Sequence, residues 1–167
     1  MINIVLYEPE IPENTGNIMR TCAGTNSRLH LIEPLGFIFD TNKIKRSAVN
    51  YLDKVDYQRY IDYDNFKNQN DGEYYYFTRY GNKSYSDIDF SNKNKNYYLI
   101  FGKESTGIPK ELLKDNIDKC YRIPTSDNIR ALNLSNCVAL VTYEALRQQN
   151  FPNLLLNDPF KGNDYLE

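Results

Sequence analysis

Leu99-Ile100-Phe101-Gly102-Lys103-Glu104-Ser105-Thr106-Gly107-Ile108-Pro109 passes in one step from an unbroken apolar run into glycine, polar residues and proline. With Tyr97 and Tyr98 ahead of it, the apolar run predicts a strand covered on both faces, the kind that builds parallel sheets. The strand runs straight into Gly102, where a missing Cβ would let a ligand approach the backbone closely. Pro109 suits the first turn of a helix over 109–113. Two further stretches share this grammar: Pro12-Glu13-Asn14-Thr15-Gly16-Asn17-Ile18-Met19-Arg20, and Ile123-Pro124-Thr125 with Arg130-Ala131-Leu132-Asn133-Leu134-Ser135-Asn136. Each sets Gly, Pro, Asn, Ser or Thr at the edge of an apolar run. Ligand-binding loops of α/β proteins lie at such edges, because backbone N–H groups there are free to donate.

The rest of the chain extends the pattern. Residues 2–7 form a continuous apolar run. Asn14 suits an N-cap, and Ile18, Met19, Cys22 and Ala23 give a one-sided helical stripe ending near Gly24. A second strand at 28–33 closes on Pro34-Leu35-Gly36, and short strand–helix–strand links imply a parallel sheet. Further helices are predicted at 43–49, basic in character, and at 62–68, with Asp62 or Asp64 near its start. Strands follow at 73–78 and 118–123, the first leading into a polar loop at 79–86. The longest helix spans 133–149, with Leu134, Cys137, Val138, Val141, Ala145 and Leu146 on one face. The tail from residue 150 is expected to pack on the body or on a partner. Five or six parallel strands alternating with helices make an open α/β domain, which binds ligands beyond the carboxyl ends of its strands. Those ends fall at Thr78, Gly102 and Ile123, three points of one expected pocket.

Composition narrows the class. A chain of 167 residues has room for one domain with a sizeable core, read here as residues 1–167. Hydrophobic residues at 41% and charged residues at 25% are ordinary for a globular protein. No apolar run reaches membrane-spanning length, and the first residues read as a buried strand rather than a signal peptide. Cys22, Cys120 and Cys137 lack C-x-x-C spacing and are odd in number, as expected of reduced thiols in a cytoplasmic protein. The single histidine, His30, lies in a strand and reads as a core or interface residue; alone it cannot support a zinc deaminase or an HExxH metalloenzyme. A Walker loop ending at Gly102-Lys103 would need glycine where Tyr97 stands, and no G-x-G occurs, so the triphosphate and dinucleotide fingerprints are both absent. The net charge is −2, although Arg20, Lys43, Lys45, Arg46, Arg79, Lys83, Lys103 and Arg130 could cluster on one face.

The three stretches, together with Glu8-Pro9-Glu10-Ile11-Pro12, Leu29-His30-Leu31-Ile32-Glu33-Pro34-Leu35-Gly36 and Tyr143-Glu144-Ala145-Leu146-Arg147-Gln148, resemble the SPOUT superfamily of knotted RNA methyltransferases. Within it the chain is similar to the small tRNA (cytidine/uridine-34) 2′-O-methyltransferases, from residue 2 to about residue 149. The resemblance implies a parallel-sheet α/β knot with a C-terminal deep trefoil knot in a single domain. It also implies S-adenosyl-L-methionine as cofactor without a metal, the tRNA anticodon loop as substrate, and a homodimer whose sites draw on both subunits. The helix carrying Ile18, Met19 and Cys22 and the 133–149 helix are candidate interface elements.

By the same resemblance, cofactor contacts fall largely on main-chain atoms of Phe77, Gly102, Ile123 and Ala131, with Thr78 and Leu132 beside them. Arg20 is the implied catalytic residue. Arginine stays protonated in proteins, so an orienting, charge-stabilising role suits it better than that of a base. Asn14, Asn17, Arg46, Glu104, Arg130, Asn133 and Ser135 are the implied substrate contacts. Several have structural readings too: Asn14, Asn133 and Ser135 could cap helices, and Glu104 could pair with Arg20 or Arg130. Ala131 stands where the family commonly has serine, and Val49-Asn50 where it usually has glycine and aspartate. Two rival readings are a 2′-O-methyltransferase for another RNA, such as ribosomal RNA, and a non-catalytic RNA-binding module.

Overall fold

The computed structural model describes residues 1–40 and 51–161. The helix expected at 43–49, with Lys43, Lys45, Arg46, Val49 and Asn50, lies outside the described residues. Seven parallel strands form one sheet: β1 (Ile2–Tyr7), β2 (Arg28–Ile32), β3 (Tyr57–Tyr60), β4 (Glu73–Phe77), β5 (Lys83–Ser84), β6 (Tyr97–Phe101) and β7 (Cys120–Arg122). Their order is β3-β2-β1-β6-β4-β7-β5. Among the described residues the α-helices are α1 (Pro12–Thr25), α2 (Tyr63–Gln69), α3 (Lys110–Asp115) and α4 (Leu134–Gln148).

Alternation along the strands divides the core into two layers. Ile4, Leu6, Tyr75, Phe77, Leu99 and Phe101 face α1 and α4, meeting Ile18, Met19, Val138, Val141 and Ala145. Val5, Tyr74, Tyr76, Tyr98 and Ile100 face the other way, toward Phe66 of α2 and Leu112 and Leu113 of α3. Both faces are covered, so the strands read as continuous apolar runs rather than alternating ones. The second layer absorbs many of the chain's tyrosines: Tyr74 and Tyr98 stack at 4.8 Å, and Phe66 meets Tyr60, Tyr74 and Tyr98 edge-on. His30 is fully buried there, with Tyr60 Oη 2.8 Å from Nδ1 and Asn3 Oδ1 3.2 Å from Nε2. Burial, reinforced by Arg28, lowers its pKa to about 3, so it is a neutral core histidine.

Two strands escape the apolar pattern. Tyr57-Gln58-Arg59-Tyr60 pairs only with β2 at one edge, and Lys83-Ser84, inside the expected polar loop, pairs only with β7 at the other. Edge strands are half solvated and need no apolar run. The helix starts are also corrected. α1 begins at Pro12 with Ile11 in the cap position and no side-chain cap, so Asn14 lies inside the first turn and is buried. Asp62 caps α2, accepting from Asn65 N–H at 2.7 Å, and Asn133, not Ser135, caps α4. Of the tail, Leu154 packs against the core while Leu155, Leu156 and Phe160 are exposed. Among the described residues no helix is long and apolar enough to cross a membrane.

Candidate active site

Register brings the expected pocket together. β4 and β6 pair Phe77 with Phe101, and β4 and β7 pair Phe77 with Tyr121, so the three strands end level. The Phe77 and Phe101 rings stack at 4.9 Å and make an apolar floor. Over the strand ends opens a cleft of about 490 Å³, lined by all six expected cofactor contacts: Phe77, Thr78, Gly102, Ile123, Ala131 and Leu132. Its position outside the carboxyl ends is where an open α/β sheet offers a ligand site, and its size suits a small-molecule cofactor.

Gly102 serves the cleft differently from expectation. A Cβ there would lie 2.2 Å from the Gly107 carbonyl carbon and from Ile108 N. The vacant volume is therefore taken by the loop's own backbone, which folds back as Gly107 N–H donates to Lys103 O at 2.9 Å. Gly107 has φ +76°, in the left-handed region that suits glycine. Two glycines thus close the 102–107 loop on itself beside the cleft. The apolar floor of Phe77 and Phe101, the closed 102–107 loop and the small side chain of Ala131 fit a nucleoside-bearing cofactor.

Glu104 pairs with neither arginine. Its Oε2 accepts from Glu10 N–H at 2.8 Å, and its Oε1 accepts from Ile11 N–H at 3.2 Å and from Asn14 Nδ2 at 3.0 Å. The carboxylate thus ties the cap residue of α1, the residue before it and the Asn14 side chain of its first turn to another loop, and its charge lies at the positive end of the helix. In return, the Glu10 carboxylate accepts from Ser105 N–H at 2.9 Å and Ser105 Oγ at 2.8 Å; these bonds hold its pKa below the usual carboxylate range. Lys103 pairs with Glu8. Asn14 Oδ1 accepts from Asn133 Nδ2 at 3.0 Å, while Asn133 Oδ1 accepts from Ser135 N–H at 2.9 Å and Ser135 Oγ at 2.6 Å. One hydrogen-bond network therefore laces all three sequence stretches together.

Of the other expected residues, Asn14, Glu104, Arg130 and Asn133 also line the cleft, whereas Arg20, Asn17 and Ser135 do not. Arg20 and Asn17 of α1 face Ser135, Asn136 and Tyr143 of α4 across a second depression of about 350 Å³. The Arg20 guanidinium lies 5.6 Å from the Tyr51 ring centroid, and among the described residues it makes no ion pair. Arg46 lies outside the described residues. Arg79, Lys103, Arg122 and Arg130 line the cleft against one carboxylate, Glu104, so the acidic chain carries a basic cleft. Glu10, Tyr51, Tyr80 and Arg122 were not singled out as site residues. Glu10 stands inside a stretch quoted above, but nothing in its spacing announces its contacts. Among the described residues no cluster of His, Cys, Asp and Glu could hold a metal ion.

Comparison with known proteins decides the family. The family model of the SpoU rRNA Methylase family matches residues 1–143. The chain belongs to this family. A Listeria innocua relative with the candidate name tRNA (cytidine(34)-2′-O)-methyltransferase is 56% identical over 154 residues, 92% of this chain and 91% of the relative. The Escherichia coli K12 tRNA (cytidine(34)-2′-O)-methyltransferase is 41% identical over 160 residues, covering 95% of this chain and 100% of that one. A structure solved for insight into the 2-OH methylation of C/U34 on tRNA superposes with a TM-score of 0.83 at 36% identity, over 90% of this chain and 97% of that chain. This SpoU chain thus aligns with most of the length of these relatives, and the solved structure shares its parallel α/β architecture.

Proposed function

We propose that this SpoU protein is a cytoplasmic, single-domain enzyme that methylates the ribose 2′-OH of the wobble nucleotide, cytidine or uridine 34, of tRNA. The observation that carries this reading is the cleft at the level ends of β4, β6 and β7, lined by all six residues expected to touch S-adenosyl-L-methionine. The identities to tRNA (cytidine(34)-2′-O)-methyltransferases support the substrate. That cofactor supplies a methyl group on a positively charged sulfur, already an activated electrophile. Phe77, Thr78, Gly102, Ile123, Ala131 and Leu132 hold it, chiefly through main-chain atoms, and the trefoil knot of the family belongs to the same reading.

The chain's own residues then have three tasks. Arg79, Arg122 and Arg130 attract the RNA backbone to the cleft. Arg20 binds a phosphate beside the target ribose and stabilises negative charge developing on the 2′-oxygen, while water or a phosphate oxygen takes the proton. The Glu104–Asn14–Asn133 network fixes α1, and so Arg20, relative to the cofactor loops. Arg20 lines a depression separate from the cleft of its own chain. A homodimer joined through α1 and α4, each cleft completed by the partner's α1, brings the two together.

The test is methyl transfer from labelled S-adenosyl-L-methionine to bulk tRNA lacking wobble methylation, with the modified nucleotide mapped. Label in 2′-O-methylated nucleotide 34 is the expected result. Label in ribosomal RNA alone, or cofactor binding without transfer to any RNA, overturns the substrate or the activity respectively.

A further inference from the structure

Tyr80 is 69% exposed, and among the described residues it is the one exposed aromatic side chain that lines the cleft; Phe77 and Phe101 are buried in its floor. At a ligand site an exposed aromatic ring offers its face to a planar partner such as a base. The turn that carries it is fixed. Thr78 N–H donates to Tyr121 O at 2.9 Å, Gly81 N–H to Thr78 O at 3.2 Å, and Tyr80 N–H to Thr78 Oγ1 at 3.3 Å. A Cβ on Gly81 would lie 2.6 Å from the Tyr121 carbonyl carbon, so the turn sits flat on β7. Arg122 Nη1 donates to Arg79 O at 3.2 Å, and its Nη2 to Thr125 Oγ1 at 3.4 Å, tying the turn to the loop after β7. The Arg79 guanidinium lies 4.8 Å from the Tyr80 ring centroid and also donates to the Tyr80 hydroxyl.

The ring is therefore pre-oriented by a fixed backbone and a cation–π partner, and it shares the cleft with the cations Arg79, Arg122 and Arg130. Unpaired RNA bases are recognised by this combination, an aromatic face for the base and guanidinium groups for the phosphates. We propose that Tyr80, held by Arg79, is a stacking platform for an unpaired base of the substrate RNA at the mouth of the cleft. The platform would set how the loop enters and thereby which nucleotide reaches the methyl donor. This inference rests on the RNA-methyltransferase reading above.

The experiment uses the full chain and a synthetic anticodon stem-loop RNA with 2-aminopurine in its loop, whose fluorescence is quenched on stacking. Wild type and the aromatic variants Y80F and Y80W are expected to quench it and to bind within about twofold of one another. Y80L, which keeps apolar bulk without a π-face, is expected to lose the quench and to weaken binding about tenfold or more. In methyl transfer that loss falls on KM for RNA rather than on kcat, with S-adenosyl-L-methionine affinity unchanged in calorimetry. R79Q is expected to lower the slope of log affinity against log salt by about one phosphate contact. Y80L binding RNA like wild type, or Y80F falling as far as Y80L, overturns the platform. Quenching by a wild type that transfers no methyl group to RNA overturns the catalytic reading and supports the platform; normal transfer with an unchanged KM in Y80L does the reverse.

Discussion

At the scale of single residues, Glu104 ties its loop to the start of α1: one carboxylate accepts from two backbone N–H groups and from Asn14. Charge-assisted bonds of this kind are the strong ones, and removing the acceptor leaves donors at a helix start unsatisfied. Glu104→Ala is expected to destabilise the protein by about 1–3 kcal/mol in urea denaturation. It should also depress methyl transfer beyond any effect on cofactor affinity, because α1 carries Arg20. An E104A protein with wild-type stability and turnover would show that the network is incidental to the site.

At the scale of elements, the 102–107 loop is decided by its glycines. The Cβ of Gly102→Ala would meet backbone at 2.2 Å, and backbone cannot rotate aside as a side-chain tip can. The loop must open, at a cost of about 1–3 kcal/mol if it behaves like an overpacked core. The expected outcome is loss of S-adenosyl-L-methionine binding in calorimetry with a lowered melting temperature; full affinity in G102A would mean the closed loop does not shape the cleft. β7 shows how one element serves two sites, since Tyr121 pairs with β4 and β5 while its carbonyl anchors the turn bearing Tyr80.

At the scale of the whole molecule, the separation of Arg20 from the cleft at the strand ends is the main consequence for the proposed function. If each site combines one chain's cleft with its partner's Arg20, two inactive variants complement each other. R20A is expected to bind cofactor like wild type and to lose methyl transfer by about 100-fold or more, as when a charge-stabilising donor is removed. Co-refolded R20A and G102A chains should recover roughly a quarter of wild-type activity, since half of randomly paired dimers hold one intact site of two. No recovery in mixed dimers confirmed by mass would place each site within one chain.

The sequence by itself determined the parallel α/β class, the central strands and the three loops. Continuous apolar runs such as 2–7 and 97–101 arise from burial on both sheet faces, and Gly, Pro and Asn punctuate where those runs end. The six cleft residues followed from the family resemblance together with the strand ends. Tertiary structure decided what depends on distance in space rather than in sequence. The edge strands β3 and β5 carry no apolar signal because pairing on one side holds them. The start of α1 is tied down by Glu104, some ninety residues away, and the cap position falls at Ile11 rather than at Asn14, where local rules put it. Gly102 is glycine because of Gly107, a clash visible only once the loop closes. Arg20 and Gly102 look equivalent as motif residues, yet α1 points one into its own depression while β6 delivers the other to the cleft. That division is set by helix direction and packing, which residue spacing along the chain does not encode.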